Sequence, residues 1–193
     1  ILWLCKTHIA KHKSRGLKKM DFLVQNALEG MKNSENENIS VGKANIKVIG
    51  SGGAGNNMVT WLYKKGIAGA EIYAVNTDKQ HLDISSADHK VLIGASLTKG
   101  LGAGGYPNVG QEAAKESMHN IKEMVRGTDM VFLCAGLGGG TGTGAAPVIA
   151  DIAKKQGALT IGIVTMPFTI EGEKRVENAI LGLERMESIV DTL

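Results

Sequence analysis

Segments with the apolar pattern of β-strands alternate along the chain with segments in which apolar residues have helical spacing. The strand-like segments are 46–50, 71–76, 90–94, 129–135 and 158–165. The helix-like segments are 56–65, 109–125, 147–155 and 176–190. Because parallel strands have to be joined by crossover connections, which are usually helices, the alternation predicts an α/β fold with a parallel sheet and helices on both faces. The chain stops directly after a helix, so we expect truncation before a sixth strand.

Fifteen of the 26 glycines fall in three short clusters that follow predicted strands. We name them the first glycine loop (50–55), the middle glycine loop (100–110) and the third glycine loop (136–144). The carboxyl ends of parallel strands lie at one edge of a sheet, where α/β proteins bind their ligands. We therefore expect these loops to meet at that edge.

The uneven distribution of charge bears on possible partners. The chain has 22 basic and 19 acidic side chains, and residues 1–19 contain six Lys and Arg but no acid, whereas residues 46–193 are almost neutral. A nucleic-acid-binding domain needs a basic face, so we expect no nucleic-acid partner.

No apolar run approaches the roughly 18 residues needed to cross a bilayer, so we expect no direct membrane insertion. With only Cys5 and Cys134, a disulfide framework and a four-ligand zinc site are excluded.

Composition divides the chain into three parts. Residues 1–19 are predicted to be a basic tail outside the native structure, with Met20 as the natural start, or alternatively a tail that touches anionic lipid. Residues 20–44 are predicted to form a short amphipathic helix and a polar linker. Residues 45–193 are predicted to form the folded domain.

The first glycine loop matches the G-x-G-x-x-G pattern between a strand and a helix. Glycines allow the backbone to approach a phosphate closely, and the N-terminus of the following helix offers free N–H groups. Alone, this pattern fits three interpretations: a tight structural turn, a phosphate site, or a nicotinamide dinucleotide site in which Asp78 binds the ribose.

The third glycine loop contains the run GGGTGTG at 138–144, which precedes another helix. A second loop of this kind at one sheet edge favours an anion with several phosphates, which backbone N–H groups and threonine hydroxyls would bind. Neither loop contains lysine, and G-x-x-x-x-G-K-[ST] is absent from the chain. We therefore expect backbone dipoles and Mg²⁺ to balance the phosphate charge.

Two further segments are candidate parts of the site. In the middle glycine loop, Gly104 and Gly105 are predicted to close over a terminal phosphate, and the alternative is a mobile surface loop. After the fifth strand, Glu171 is predicted to accept hydrogen bonds from a ribose and Arg175 to contact a base. The alternative is that both are solvated charges at the start of a helix.

Single residues with chemical potential give weaker signals. His81, His89 and His119 lack metal-ligand spacing, so we interpret them as solvated histidines. Cys134 lies in a buried strand and is predicted to be an inert core residue. Trp61 is predicted to pack against the fold rather than to stack on a base.

At this point the sequence resembles FtsZ, the family of tubulin-like GTPases of prokaryotic cell division. The resemblance covers about residues 45–193 and rests on five collinear motifs, namely GGAGNN at 52–57, NTD at 76–78, LGAGG at 101–105, GGGTGTG at 138–144 and PF…EG…R at 167–175. It implies a tubulin-like, Rossmann-type sheet in a GTP-binding domain, truncated before the sixth strand, the central helix and the C-terminal domain.

The resemblance also implies the ligand, which is GTP or GDP with Mg²⁺ bound through its phosphates, and the residues that contact it. The third loop would hold the phosphates, Gly104 and Gly105 would lie near the terminal one, and Asp78 would lie near the phosphates and metal. Glu171 would bind the ribose and Arg175 would lie beside the guanine. The full predicted set is Gly52, Gly53, Ala54, Gly55, Asn56, Asn57, Asp78, Gly104, Gly105, Gly139, Gly140, Thr141, Gly142, Thr143, Thr165, Pro167, Glu171 and Arg175.

In this family an acidic loop of the next subunit completes the hydrolytic site. That loop has no counterpart in these 193 residues, so the resemblance implies no catalytic residue here and little activity of the chain alone. It implies a head-to-tail homopolymer in the cytoplasm at the division site, with division-machinery adaptors that bind other regions. Two alternatives stay open: an NAD(P)-dependent oxidoreductase domain that uses the first loop alone, and a non-catalytic tubulin-like interaction protein.

Overall fold

The computed structural model describes residues 44–193. The predicted basic tail and the predicted amphipathic helix and linker fall on residues outside this part of the chain, and they stay predictions. Residues 45–191 form one unit. Within residues 44–193, no helix is both long enough and apolar enough to cross a membrane.

The five described strands form one parallel sheet, as the alternation predicts. Their order across the sheet is β3-β2-β1-β4-β5. The strands are β1 (Ile46–Ser51), β2 (Ala70–Asn76), β3 (His89–Leu92), β4 (Met130–Gly136) and β5 (Leu159–Thr165). Each lies within two residues of its predicted bounds. Since the chain builds outward from β1 in both directions, β1 and β4 flank the point where the strand order reverses, which is where open α/β sheets bind ligands.

Helices lie on both faces of the sheet, which confirms the predicted fold class. They are α1 (Gly52–Lys65), α2 (Lys79–Ile84), α3 (Ala95–Thr98), α4 (Pro107–Glu116), α5 (Met118–Val125), α6 (Thr141–Lys155) and α7 (Glu173–Ile189), with a 3₁₀ turn at Thr169–Glu171. On one face, Ile49, Val131 and Leu133 pack with Ile149 and Met186. On the other, Val48, Ile72 and Cys134 pack with Val59 and Leu82.

The helices differ from prediction in three ways. Sequence periodicity missed α2 and α3, which have six and four residues. The predicted helix 109–125 is two helices separated at Ser117, whose hydroxyl accepts a hydrogen bond from the Gly94 amide at 2.9 Å. Helices α1 and α6 both begin inside glycine loops, earlier than the periodicity predicts, so the free N–H groups of their first turns lie in those loops.

An apolar groove of about 630 Å³ opens on the α1 face and is lined by Met58, Trp61, Phe132 and Ile163, among others. Trp61 lines this groove and not the cavity at the glycine loops, but it is 62% exposed and therefore only partly packed. Cys134 lies at the bottom of the groove and is 5% exposed, in agreement with its predicted burial.

We expect Cys134 to react with a thiol reagent about 100-fold more slowly in the native protein than in the unfolded one. Burial raises the pKa of its thiol to about 11, whereas a solvated cysteine titrates near about 8.5. Little of the reactive thiolate is therefore present at pH 8. The measurement is the labelling rate of a Cys5→Ser variant, in which Cys134 is the remaining cysteine, with and without denaturant. Equal rates would contradict this burial.

Candidate functional site

A cavity of about 870 Å³ lies at the carboxyl edge of the sheet. All three glycine loops, the end of β2 and the segment after β5 contribute to its wall. Its lining consists of Gly53, Ala54, Asn76, Asp78, His81, Leu101, Gly102, Ala103, Gly104, Gly105, Gly136, Leu137, Gly139, Gly140, Thr141, Gly142, Thr165, Met166, Pro167, Phe168, Glu171 and Arg175. The three glycine loops therefore converge at this edge, as predicted.

The first glycine loop brings the N-terminus of α1 to the cavity. Ser51 is the N-cap, yet its hydroxyl makes no capping bond and is buried without a hydrogen-bond partner. Gly53 and Ala54 follow in the first turn and line the cavity. The first turn contains no acidic residue, so the positive end of the helix dipole is not neutralised by the chain.

The third glycine loop presents a second helix N-terminus to the same cavity. Gly140 is the N-cap of α6 and has no side chain to cap it, and the first turn again lacks an acid. The first backbone bond of the helix runs from the Gly144 amide to the Gly140 carbonyl at 2.9 Å, which leaves the preceding amides available.

The two N-termini are in direct contact. A Cβ atom on Gly52, whose φ is +73°, would lie 2.7 Å from the Gly142 amide nitrogen, so only glycine allows this approach. Two unneutralised helix dipoles and their free amides therefore converge on one volume. This arrangement suits an anion with more than one charged group.

The threonines of the third loop form one hydrogen bond within that loop and one to the turn after β2. The hydroxyl oxygens of Thr141 and Thr77 are 2.7 Å apart, and Thr143 accepts a hydrogen bond from the Gly138 amide at 2.8 Å. These bonds fix the third loop to itself and to the end of β2. The amides of α6 are consequently held in place before any ligand binds.

The middle glycine loop is attached to the turn that follows β2. The Lys79 amide donates to the Gly100 carbonyl at 2.9 Å, and the Gly102 amide donates to the Thr77 carbonyl at 3.2 Å. Asp78 lies in the same turn and forms an isolated bridge with Leu101. Its carboxylate caps α2 by accepting a hydrogen bond from the His81 amide at 3.0 Å.

Glu171 and Arg175 contact each other across one helical turn. The Arg175 guanidinium donates to the Glu171 carboxylate at 2.9 Å, and the other carboxylate oxygen accepts a hydrogen bond from the Phe168 amide at 2.8 Å. Sequence reasoning assigned these two side chains to separate parts of a ligand. In the structure they form one ion pair on the wall of the cavity.

Thirteen of the eighteen predicted site residues line the cavity. The five that do not line it are Gly52, Gly55, Asn56, Asn57 and Thr143. Asn56 is completely buried, and both polar atoms of its side chain lack partners, whereas Asn57 is exposed. Their predicted contact with a ligand stays a prediction.

Sequence reasoning missed nine lining residues. They are Asn76, His81, Leu101, Gly102, Ala103, Gly136, Leu137, Met166 and Phe168. Six of the nine lie within two positions of a predicted residue, and their location at or after the end of a strand is a signal that the sequence provides. His81 is different, because it enters the cavity through α2, which periodicity did not reveal.

The described residues contain no group of three or more His, Cys, Asp or Glu arranged to hold a metal ion. The charged side chains of the cavity wall are Asp78, Glu171 and Arg175. Because the last two neutralise each other, the side chains offer little positive charge for an anion. Backbone amides therefore have to supply most of the attraction.

Comparison with known proteins agrees with this geometry. The Tubulin/FtsZ family, GTPase domain, matches residues 45–193. Cell division protein FtsZ 1 of Methanocaldococcus jannaschii is 58% identical over 151 residues, which are 78% of this chain and 42% of that protein.

Solved structures extend the likeness to the fold. The FtsZ dimer of M. jannaschii superimposes with a TM-score of 0.78 at 53% identity, covering 88% of this chain and 47% of that one. The GTPγS-bound protofilament of CetZ2 from Haloferax volcanii gives a TM-score of 0.69 at 27% identity, covering 76% and 47%. This chain thus spans less than half the length of these relatives. Because the family model matches residues 45–193 and a relative is 58% identical over 78% of the chain, the chain belongs to the Tubulin/FtsZ family of GTPase domains.

Proposed function

We propose that this chain is the phosphate-binding part of a GTPase that forms a cell-division filament. The observation that carries the proposal is the convergence of two acid-free, lysine-free helix N-termini on one cavity. A nucleoside triphosphate presents several negative charges in a row, and paired N-termini bind such charges through main-chain amides. The relatives that share this domain are named cell division proteins.

The proposed contacts follow from which parts of the cavity wall are polar. The turns at Gly53–Ala54 and Gly140–Gly142 would bind the phosphates, with Gly104 and Gly105 near the terminal one. The ion pair of Glu171 and Arg175 would separate or turn to meet the ribose and the guanine.

Mg²⁺ fits this site through the nucleotide. The described residues offer no cluster of metal ligands, and Asp78 is the acidic side chain that lines the cavity on the side of the middle loop. A magnesium ion coordinated by phosphate oxygens and water would supply the positive charge that the glycine loops lack. In the bound state it would neutralise charge that develops during phosphoryl transfer.

Hydrolysis in this proposal depends on a second subunit. Phosphoryl transfer requires positioning and charge stabilisation more than covalent help from the protein. The described residues would hold the phosphates, and an acidic loop of the neighbouring subunit would orient the attacking water.

The surface around the cavity supports association with another copy. Leu101 and Phe168 line the cavity, and Tyr106 and Ile170 are next in sequence to the lining residues Gly105 and Glu171. These four apolar side chains, Leu101, Tyr106, Phe168 and Ile170, are 81%, 69%, 78% and 96% exposed. Contact between subunits over the nucleotide would bury these side chains, and the M. jannaschii dimer and the CetZ2 protofilament are relatives that associate. We infer a head-to-tail polymer at the division site in the cytoplasm, to which adaptors bind through other regions.

Equilibrium binding of GTP, GDP and NADH to the purified chain, measured by calorimetry, tests the proposal. We expect both guanine nucleotides to bind and NADH not to bind, because a dinucleotide site would make no use of the third glycine loop. If NADH binds and is displaced by NAD⁺ but not by GTP, the oxidoreductase alternative is supported instead. Guanine nucleotide binding without turnover in the longer protein would support a non-catalytic interaction protein.

A further inference from the structure

His81 lies beside the first glycine loop. It belongs to the first turn of α2 and lines the cavity. A Cβ atom built on Gly53 would lie 3.7 Å from the Nε2 atom and 4.0 Å from the Cε1 atom of the imidazole. The Nε2 edge of the ring is therefore next to the backbone of the first turn of α1, where the amides of that helix are free.

The neighbouring Asn76 determines which imidazole nitrogen carries the proton. Its side-chain oxygen accepts hydrogen bonds from the amides of Thr77 at 2.9 Å and Asp78 at 3.3 Å, which fixes the orientation of the carboxamide. Its NH₂ group consequently faces the Nδ1 atom of His81, at 3.5 Å. Since Asn76 is the donor in this contact, Nδ1 is the acceptor, and the proton of the neutral ring lies on Nε2.

The Nε2 N–H group is a free donor in the cavity. No described residue accepts a hydrogen bond from it, whereas the other N–H-bearing side chains of the wall are engaged. Asn76 faces His81, and the guanidinium of Arg175 is paired with Glu171. The charged groups around His81 are Asp78, whose carboxylate is bonded to the His81 amide, and the neighbouring Lys79, which is paired with Asp83.

We propose that His81 is a phosphate-binding residue, and that its Nε2 N–H group donates a hydrogen bond to a phosphate oxygen of the bound nucleotide. The inference rests on the proposed function and adds to it a side-chain contact that the glycine loops cannot provide. An anion held by the amides of the first turn of α1 lies within reach of the Nε2 edge. Asn76 acts as a positioning residue because it fixes the tautomer.

The test compares the variants His81→Leu and His81→Gln with the unchanged 193-residue chain. Leucine has a similar size and no donor, whereas glutamine retains an N–H donor. We expect His81→Leu to weaken binding of GTP and of inorganic triphosphate by about tenfold to 100-fold, as loss of a hydrogen bond to a charged group does. We expect His81→Gln to stay within a few-fold of the unchanged chain, and the exposed control His119→Leu to have no effect.

The possible outcomes separate this inference from the proposed function. If the unchanged chain binds GTP and His81→Leu binds it equally well, the inference is wrong and the proposed function stands. Loss of affinity for GTP but not for inorganic triphosphate would place the contact on the sugar or base and would also overturn it. Failure of the unchanged chain to bind GTP would overturn both.

A second measurement does not depend on how the leucine variant folds. In ¹⁵N NMR spectra of the unchanged chain, we expect the proton of neutral His81 on Nε2, and a downfield shift of that proton when inorganic triphosphate is added. A proton on Nδ1, or an Nε2 signal that the ligand leaves unchanged, would overturn the inference.

Discussion

Gly144→Ala is expected to prevent folding, whereas Gly139→Ala in the same loop is expected to leave the fold intact. A Cβ atom on Gly144 would lie 2.6 Å from the Gln111 amide nitrogen and 2.9 Å from the Pro107 carbonyl carbon, and closer still to that carbonyl oxygen. All three atoms are backbone atoms of α4, so no side chain can move aside. At Gly139 a Cβ atom would meet nothing within 4 Å.

The expected size of the effect follows from how closely α4 and α6 approach. To admit the methyl group, the two helices would have to separate and open the core beneath them. Losses above about 4 kcal/mol are exceptional for one substitution and are a large part of the roughly 5–15 kcal/mol that stabilises a domain. We expect Gly139→Ala to change the free energy of unfolding by less than about 1 kcal/mol.

Circular dichroism and urea denaturation measure both variants under one set of conditions. A Gly144→Ala protein that unfolds at the same urea concentration as the unchanged chain would contradict the close crossing of α4 and α6. A strongly destabilised Gly139→Ala protein would contradict the open surroundings of that residue.

These two glycines also explain why the site could be predicted only in part. The run GGGTGTG is typical of a phosphate loop, but the run by itself does not indicate which of its residues contact a ligand, and only the family resemblance put Gly139 but not Gly144 in the predicted set. In the structure Gly139 faces the cavity, while Gly144 is needed where α4 crosses α6. A glycine required by a ligand and a glycine required by helix packing are identical in a sequence, so the pattern alone cannot distinguish their roles.

The sheet was predictable because its signal is local. Each strand is a short apolar run bounded by polar or glycine residues, and β4 is largely buried, as its apolar sequence indicates. The short helices α2 and α3 were missed because six and four residues are too few to display a helical period. Ser117 interrupts the helix 109–125 through a bond to Gly94, which is distant in sequence.

The site could be predicted in part, because some of its features follow from local sequence and others depend on contacts that the sequence does not reveal. The rule that ligands bind at the carboxyl edge of the strands gathered the three glycine loops correctly. It could not indicate that Glu171 and Arg175 pair with each other, since that depends on the geometry of one helical turn. Nor could it find His81, whose position depends on α2 and whose tautomer depends on two backbone amides bonded to Asn76.

Ala54→Glu is expected to stabilise the fold slightly and to abolish most nucleotide binding. Ala54 is the third residue of α1 after the N-cap Ser51, so a carboxylate at this position lies in the first turn of the helix. A carboxylate in a first turn without acids also interacts favourably with the helix dipole, by about 0.3–1 kcal/mol. The same carboxylate would stand in the cavity among the proposed phosphate contacts.

Ala54→Gln is the matched control, because glutamine has the same size as glutamate but carries no charge. Two like charges about 5 Å apart at an effective dielectric constant of about 20 repel each other by about 3 kcal/mol, so we expect GTP affinity to fall about 100-fold for the glutamate variant. The glutamine variant should lose far less.

Calorimetry with GTP measures the binding affinity of both variants, and thermal denaturation measures their stability. Equal losses in the two variants would mean that size alone blocks the cavity, whereas full affinity in Ala54→Glu would place the phosphates away from α1. Higher stability combined with lost binding would indicate that the acid-free first turn of α1 is kept for an anionic ligand at the expense of helix stability.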